Sequence, residues 1–163
     1  MKTFDAIIRA ASPIGRLEIT ALNDQIVGLE IERAGRLTHE STPEKGSAVL
    51  KRATQQLAEY FAGKRRAFDL PLSMSGTDFQ TSVWNALLEI PFGTVHSYGD
   101  VGMTTGRATA GRAVGGAVGA NPIPIIVPCH RVLASDGRIT GYSGGNGIPT
   151  KVWLLEHEGI AHR

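Results

Sequence analysis

Ile123-Pro124-Ile125-Ile126-Val127-Pro128-Cys129-His130-Arg131 is the most informative stretch of the 163-residue chain. The β-branched run Ile125 to Val127 predicts a short buried strand. Pro128 has no N–H to give to a ladder, so the strand ends there and leaves Cys129 and His130 at its mouth. A lone cysteine behind an apolar run is ordinarily a small core residue. Here His130 and Arg131 follow at once, and a neighbouring imidazolium or guanidinium favours thiolate, the attacking form. With no second cysteine in the chain, thiol redox cycling lacks a resolving partner. Neighbouring side chains on a strand point to opposite faces, so the turn after Pro128, or a bridging water, has to bring Cys129 and His130 together. A third group should then orient the imidazole. Glu158, near the end of a helix predicted from Pro149 to Gly159, is the first candidate and Glu156 the alternative. By spacing alone either carboxylate reads more readily as a solvated helix end.

Upstream, Asn121-Pro122 turns the chain out of a helix predicted from about Ala110 to Ala120. That helix contains Gly111, Gly115, Gly116 and Gly119, each costing about 1 kcal/mol relative to alanine in a helix interior. Such a sequence implies close backbone approach, either by a packed neighbour or by a narrow groove with Arg112 projecting into it. A short helix near Tyr98 to Thr105 and a turn at Gly106-Arg107 precede it, which together outline a helix-turn-helix. Thr77-Asp78-Phe79-Gln80 is a capping-box pattern opening a helix to about Ile90, stopped by Pro91 and Gly93. Downstream, Gly141-Tyr142-Ser143-Gly144-Gly145 predicts a flexible loop whose amides can approach a ligand closely.

Fifteen of the twenty glycines follow residue 70, whereas eleven of the seventeen basic residues precede residue 71. This shift suggests two units, residues 1–73 and 74–163, divided near Pro71 to Gly76. In the first, strands are expected at Phe4 to Arg9, Leu17 to Leu22 and Ile26 to Ile31, then a helix with Thr42 as N-cap and Pro43 in its first turn. Val49, Ala53, Leu57 and Phe61 recur along one face of that helix, and Gly63 stops it. No catalytic groups gather in this unit; His39 and Lys64-Arg65-Arg66 read as solvated surface. The fold class is therefore α+β: a small strand-plus-helix domain, then a mostly α domain carrying the helix-turn-helix and the cysteine. With 42% hydrophobic and 20% charged residues the chain can bury a core. A net charge of +2 does not by itself imply nucleic acid. Ile123 to Val127 is far too short to span a bilayer, and Asp5 and Arg9 interrupt any apolar leader. The expectation is a cytoplasmic protein without membrane partner, signal or anchor.

PCHR within IPIIVPCHRV, preceded by GRAVGGAVGANP and followed by GYSGG and WLLEHEG, resembles the O6-alkylguanine-DNA alkyltransferase family, DNA-repair proteins also called methylated-DNA–protein-cysteine methyltransferases. The close resemblance covers about residues 78 to 160; the first half fits by length and strand–helix order. It implies that Cys129 accepts an alkyl group from O6-alkylguanine by an irreversible SN2 displacement, in a single turnover, with the damaged nucleotide flipped out of double-stranded DNA. His130, through a water and oriented by Glu158, takes the thiol proton. Asn121 braces the cysteine segment, and Tyr98 donates to the departing guanine. Substrate contacts fall to the Ser143 amide, the Cys129 and Val132 carbonyls, Tyr142 and Gly144. Arg112 fills the vacated stack, with Ala110, Gly111, Gly115 and Arg131 at the DNA surface. The protein acts as a monomer and needs no cofactor. Some relatives bind zinc through further cysteines, so with Cys129 alone no metal is expected.

Overall fold

The first three strands form an antiparallel meander in a computed structural model that describes residues 3–106 and 111–163. β1 (Ala6–Ala10), β2 (Leu17–Leu22) and β3 (Gln25–Ile31) lie in sequence order. Asn23 and Asp24, at φ 50° and 60°, supply the two left-handed positions of a tight hairpin that follows the twist of the strands. α1 (Ala48–Phe61) packs across the sheet through Val49, Leu50, Ala53, Leu57 and Tyr60. It begins later than its sequence suggests, with Ser47 and not Thr42 as N-cap. The cause is the edge of β1: the Ile7 and Lys45 backbones exchange hydrogen bonds of 2.9 Å each way, which keeps the chain before Ser47 extended.

The chain then runs along the other edge of the sheet, where the Ile26 amide donates to Pro71 O and the Ser73 amide to Ile26 O. Gly76 follows in a place where a Cβ would lie 2.6 Å from the Trp84 ring. α2 (Asp78–Leu88) opens with the reciprocal capping box of Thr77 and Gln80, as its sequence predicts. After the Pro91–Gly93 turn come β4 (His96–Ser97), α3 (Tyr98–Thr104) and α4 (Gly111–Gly119). α2, α3 and α4 pack together, and the Trp84 indole N–H donates to Ala117 O at 2.8 Å, tying α4 to α2. Gly106 is left-handed at φ 77°, as the expected turn requires; Arg107 and the DNA-contact position Ala110 lie outside the described residues. β5 (Val132–Leu133) pairs in parallel with β4, and α5 (Ile148–His157) closes the fold.

The strand expected at Ile125 to Val127 does not form. Three prolines interrupt the segment, and it coils instead: the Val127 amide donates to Ile123 O, and Cys129 to Val127 O across Pro128. Pro128 at φ −82°, ψ 65° is the centre of an inverse γ-turn. Ile125 sits at φ 75°, a conformation that costs a β-branched residue energy and persists only where packing over-determines it. Ile123, Ile125 and Val127 are fully buried in a core that continues without a break from the sheet through α1 to Trp84, Val114 and Cys129.

Candidate active site

Cys129 opens a single 3-10 turn, Cys129–Arg131, and is 3% exposed. Asn121 fixes the approach to it: its amide donates to Val127 O at 2.8 Å, and its carbonyl oxygen accepts from the Ile123 amide at 2.9 Å. The sulfur lies on the wall of a cavity of about 430 Å³, also lined by Tyr98, Gly111, Gly115, Val118, Gly119, Thr140, Tyr142, Ser143 and Lys151. That volume falls within the range of about 300–1,000 Å³ typical of small-ligand pockets. Tyr98 and Thr140 share a hydroxyl–hydroxyl hydrogen bond at 3.1 Å, and Ser143 Oγ donates to Gly119 O at 2.8 Å, fastening the loop to the end of α4. The Tyr142 hydroxyl is buried without a hydrogen bond of full geometry and interacts with the Cys129 sulfur.

Behind the cysteine is a buried charge cluster. His130 is fully buried, with Nε2 2.6 Å from Glu158 Oε2. Oε2 also accepts from the Tyr60 hydroxyl at 2.7 Å and an Arg131 guanidinium nitrogen at 3.0 Å. Oε1 accepts from Arg131 Nε at 2.8 Å and from the Gly93 amide at 3.1 Å. Burial alone would push the Glu158 carboxyl up, but the hydrogen bonds from His130, Arg131 and Tyr60 and the nearby charge hold it well below the usual carboxylate range. Burial pushes the His130 pKa below its usual value, against the pull of Glu158, and so favours the neutral imidazole. With the Nε2 proton directed at the carboxylate, Nδ1 remains a buried acceptor without a partner among the described residues, ready to take a proton.

These contacts settle which carboxylate serves His130: Glu158, not Glu156, which is exposed. They also correct several expectations. Arg131 is 5% exposed; Glu158 and Ile90 O engage its guanidinium, so it is internal scaffold and does not face DNA. Burial favours the protonated thiol of Cys129. Burial raises its pKa more than Asn121, Lys151 and Tyr142 lower it. Gly144 lies off the cavity lining, because the loop folds back there against Ile31 and Tyr142, where a Cβ would be 2.9 Å from the ring. Val132 is fully buried and its carbonyl already accepts from Lys151 Nζ at 2.7 Å. Arg112 is exposed on α4, and Gly111 and Gly115 beside it line the cavity. A Cβ at any of the four α4 glycines would meet none of the described residues within 4 Å, so no helix among the described residues accounts for them.

Two groups escaped the sequence reading. Lys151 is 1% exposed and reaches Val132 O and Gly141 O; burial brings its pKa down to about 8, against the favourable charge of Cys129. Its signal was present in the spacing: Lys151, Leu154, Leu155 and Glu158 recur on one face of α5, and all are buried. Tyr60 had no such signal, since its partner Glu158 is 98 residues away.

Residues 78–160 match the family model for the DNA-binding domain of 6-O-methylguanine DNA methyltransferase, and residues 8–74 the model for its ribonuclease-like domain. The chain is 42% identical over 158 residues to the constitutive methylated-DNA–protein-cysteine methyltransferase of Bacillus subtilis (strain 168), covering 94% of this chain and 95% of that one. It is 45% identical over 152 residues to the methylated-DNA–protein-cysteine methyltransferase of Mycobacterium tuberculosis (strain ATCC 25618 / H37Rv), covering 90% and 88%. Among solved structures it is similar to Mycobacterium tuberculosis OGT in complex with DNA, with a TM-score of 0.82, 43% identity, and coverage of 92% and 90%. The cysteine in its pocket, the His130–Glu158 pair behind it and these matches along both halves lead to one conclusion: the chain belongs to the methylated-DNA–protein-cysteine methyltransferase family.

Proposed function

We propose that the protein repairs double-stranded DNA by taking the alkyl group of O6-alkylguanine onto Cys129, once per molecule. The observation that carries this reading is a cavity with Cys129 in its wall, the bare glycine face of α4 at its side, and a buried histidine backed by a buried carboxylate behind it. The thiol proton passes through a water to His130 Nδ1, which Glu158 stabilises as imidazolium. The thiolate attacks the alkyl carbon, a carbon–sulfur bond forms, the carbon–O6 bond breaks, and the electron pair leaves with the guanine. Tyr98, on the cavity wall, donates a hydrogen bond or proton to that leaving base. The thioether has no easy exit, so the protein is consumed.

Such a cavity does not admit a base still stacked in a duplex, so the nucleotide is flipped out and Arg112 takes its place. Gly111 and Gly115 present the slim face of α4 to the minor groove, and Ala110, outside the described residues, is assigned to the same DNA surface. Asn121 braces the cysteine turn; the Ser143 amide and the Cys129 carbonyl read the edges of the guanine, with Tyr142 closing the pocket. The relative solved in complex with DNA supports DNA as the partner. Residues 74–163 carry the chemistry and the DNA contacts, residues 1–73 form the unit behind them, and the protein works as a monomer in the cytoplasm. No helix among the described residues is long and apolar enough to cross a membrane.

The test is intact-protein mass spectrometry with peptide mapping after mixing with excess O6-methylguanine duplex. One methyl group on Cys129, reaching one equivalent and stopping, is expected, and Cys129→Ala should abolish it while leaving duplex binding largely intact. Binding without modification would instead indicate a lesion-recognition module, and turnover beyond one equivalent a hydrolase.

A further inference from the structure

We infer that Tyr60, from the half of the chain without the cysteine, is a positioning residue of the active site: it holds Glu158 against His130 and limits how strongly that carboxylate draws on the imidazole proton. The inference rests on the reading of His130 as base for Cys129. Tyr60 is fully buried on α1, inside the segment matching the ribonuclease-like domain. Its ring packs among Phe61, Phe68, Phe92 and His157. A phenylalanine would serve that packing equally, so the hydroxyl needs its own explanation. It donates at 2.7 Å to Glu158 Oε2, the same oxygen that lies 2.6 Å from His130 Nε2.

An oxygen shared among several donors offers less charge to each. Several charged and polar groups among the described residues face this centre, among them His157, which packs against the Tyr60 ring and bonds the Tyr60 carbonyl oxygen at 2.8 Å. Arg131 and the Gly93 amide hold Glu158 alongside Tyr60, and the Arg131 and Lys151 charges oppose protonation of His130. Burial and then Glu158 itself hold the Tyr60 phenol protonated at all working pH, so it is a permanent donor. Without it, Glu158 pulls harder on the Nε2 proton, and Nδ1 becomes the stronger base. The proton that leaves Sγ, relayed by water to Nδ1, then crosses more often, and the thiolate population rises.

Cys129 is the sole cysteine, so alkylation by iodoacetamide reports its thiolate fraction without DNA. The rate constant for the full chain would be measured from pH 6 to 9 by intact mass. Tyr60→Phe keeps the ring and is expected to react at least threefold faster below the thiol's own titration, with duplex affinity unchanged. Phe61→Leu loosens the same ring cluster while keeping the hydroxyl, and should give the parent profile. Site-specific 3-fluorotyrosine at position 60, a stronger donor in the same place, should slow the reaction. A Tyr60→Phe profile superimposable on the parent, or an equal change in Phe61→Leu, overturns the assignment. If the parent accepts no methyl from DNA while these iodoacetamide results hold, the repair reading fails and the role of Tyr60 toward Glu158 stands.

Discussion

Glu158→Gln removes one charge from a cluster with little access to solvent. The carboxylate accepts five donors: Tyr60, His130, two Arg131 nitrogens and the Gly93 amide. An amide keeps one acceptor oxygen. Its NH2 turns either toward Arg131 Nε and the Gly93 amide, which cannot accept from it, or toward the side shared by Tyr60, His130 and the second Arg131 nitrogen, where the guanidinium cannot. It also leaves Arg131, with its side chain 7% exposed, without a counter-charge. Breaking a buried ion pair on one side costs about 3–5 kcal/mol. For a chain of this size that lowers Tm by about 6–20 °C, or the urea midpoint by about 1–5 M at a slope of about 1–3 kcal/mol/M. The pH dependence carries a sign. The folded-state pKa of Glu158 is depressed, so the folded protein binds fewer protons than the unfolded chain, whose carboxyl titrates near about 4.3. The stabilisation is complete above that value and is lost as pH falls toward the folded pKa. Urea denaturation of both proteins at pH 7, and again below pH 4, is the assay; the gap between them should narrow in acid. A loss under about 1 kcal/mol at pH 7, or a gap that does not change with pH, would refute a charged Glu158 paired with Arg131.

Gly115→Ala adds a methyl group to open space on α4, so helix propensity should raise stability by about 0.5–1 kcal/mol while affinity for duplex falls. Both changes are read by thermal melts and by titration of labelled duplex, and unchanged affinity would remove this glycine from the DNA surface. Lys151→Met keeps most of the side-chain volume but deletes the cation that lowers the Cys129 pKa. Iodoacetamide labelling at pH 7 should slow several-fold; an equal or faster rate would mean the ammonium serves only the Val132 and Gly141 carbonyls.

What could be read in advance was local. The capping box at Thr77–Gln80 depends on side chains reaching three residues, and the Asn23-Asp24 hairpin on two residue types that tolerate left-handed backbone; both form as their sequences dictate. The α1 start at Thr42-Pro43 looked equally local, yet the edge of β1 drew Lys45 into a bridge, a demand set by tertiary pairing. Ile125 to Val127 have strand composition, but Pro124 and Pro128 leave too few donors for a ladder. Arg131 looked like surface because arginine usually is, and only a carboxylate brought from α5 makes its burial tolerable. A catalytic imidazole needs a third group to orient it, which makes Glu158 the first candidate and Glu156 the alternative. By spacing alone either reads as a solvated helix end, and only the family resemblance favours the pairing of Glu158 with His130. Tyr60 shows the limit most clearly: nothing near it in sequence distinguishes its hydroxyl from that of any core tyrosine.

The outer strands of the small sheet have backbone partners beyond the meander itself: Lys45 against Ile7, Pro71 and Ser73 against Ile26, and Pro122 O against the Leu29 amide. An unpaired strand edge is a template on which a second molecule can add its own strand and seed a fibril. Occupying both margins with short, proline-marked segments of the same chain denies that template to neighbouring copies. On the proposed reading that each molecule reacts once, spent molecules would collect beside active ones, and a closed sheet margin lets the two mix without sticking.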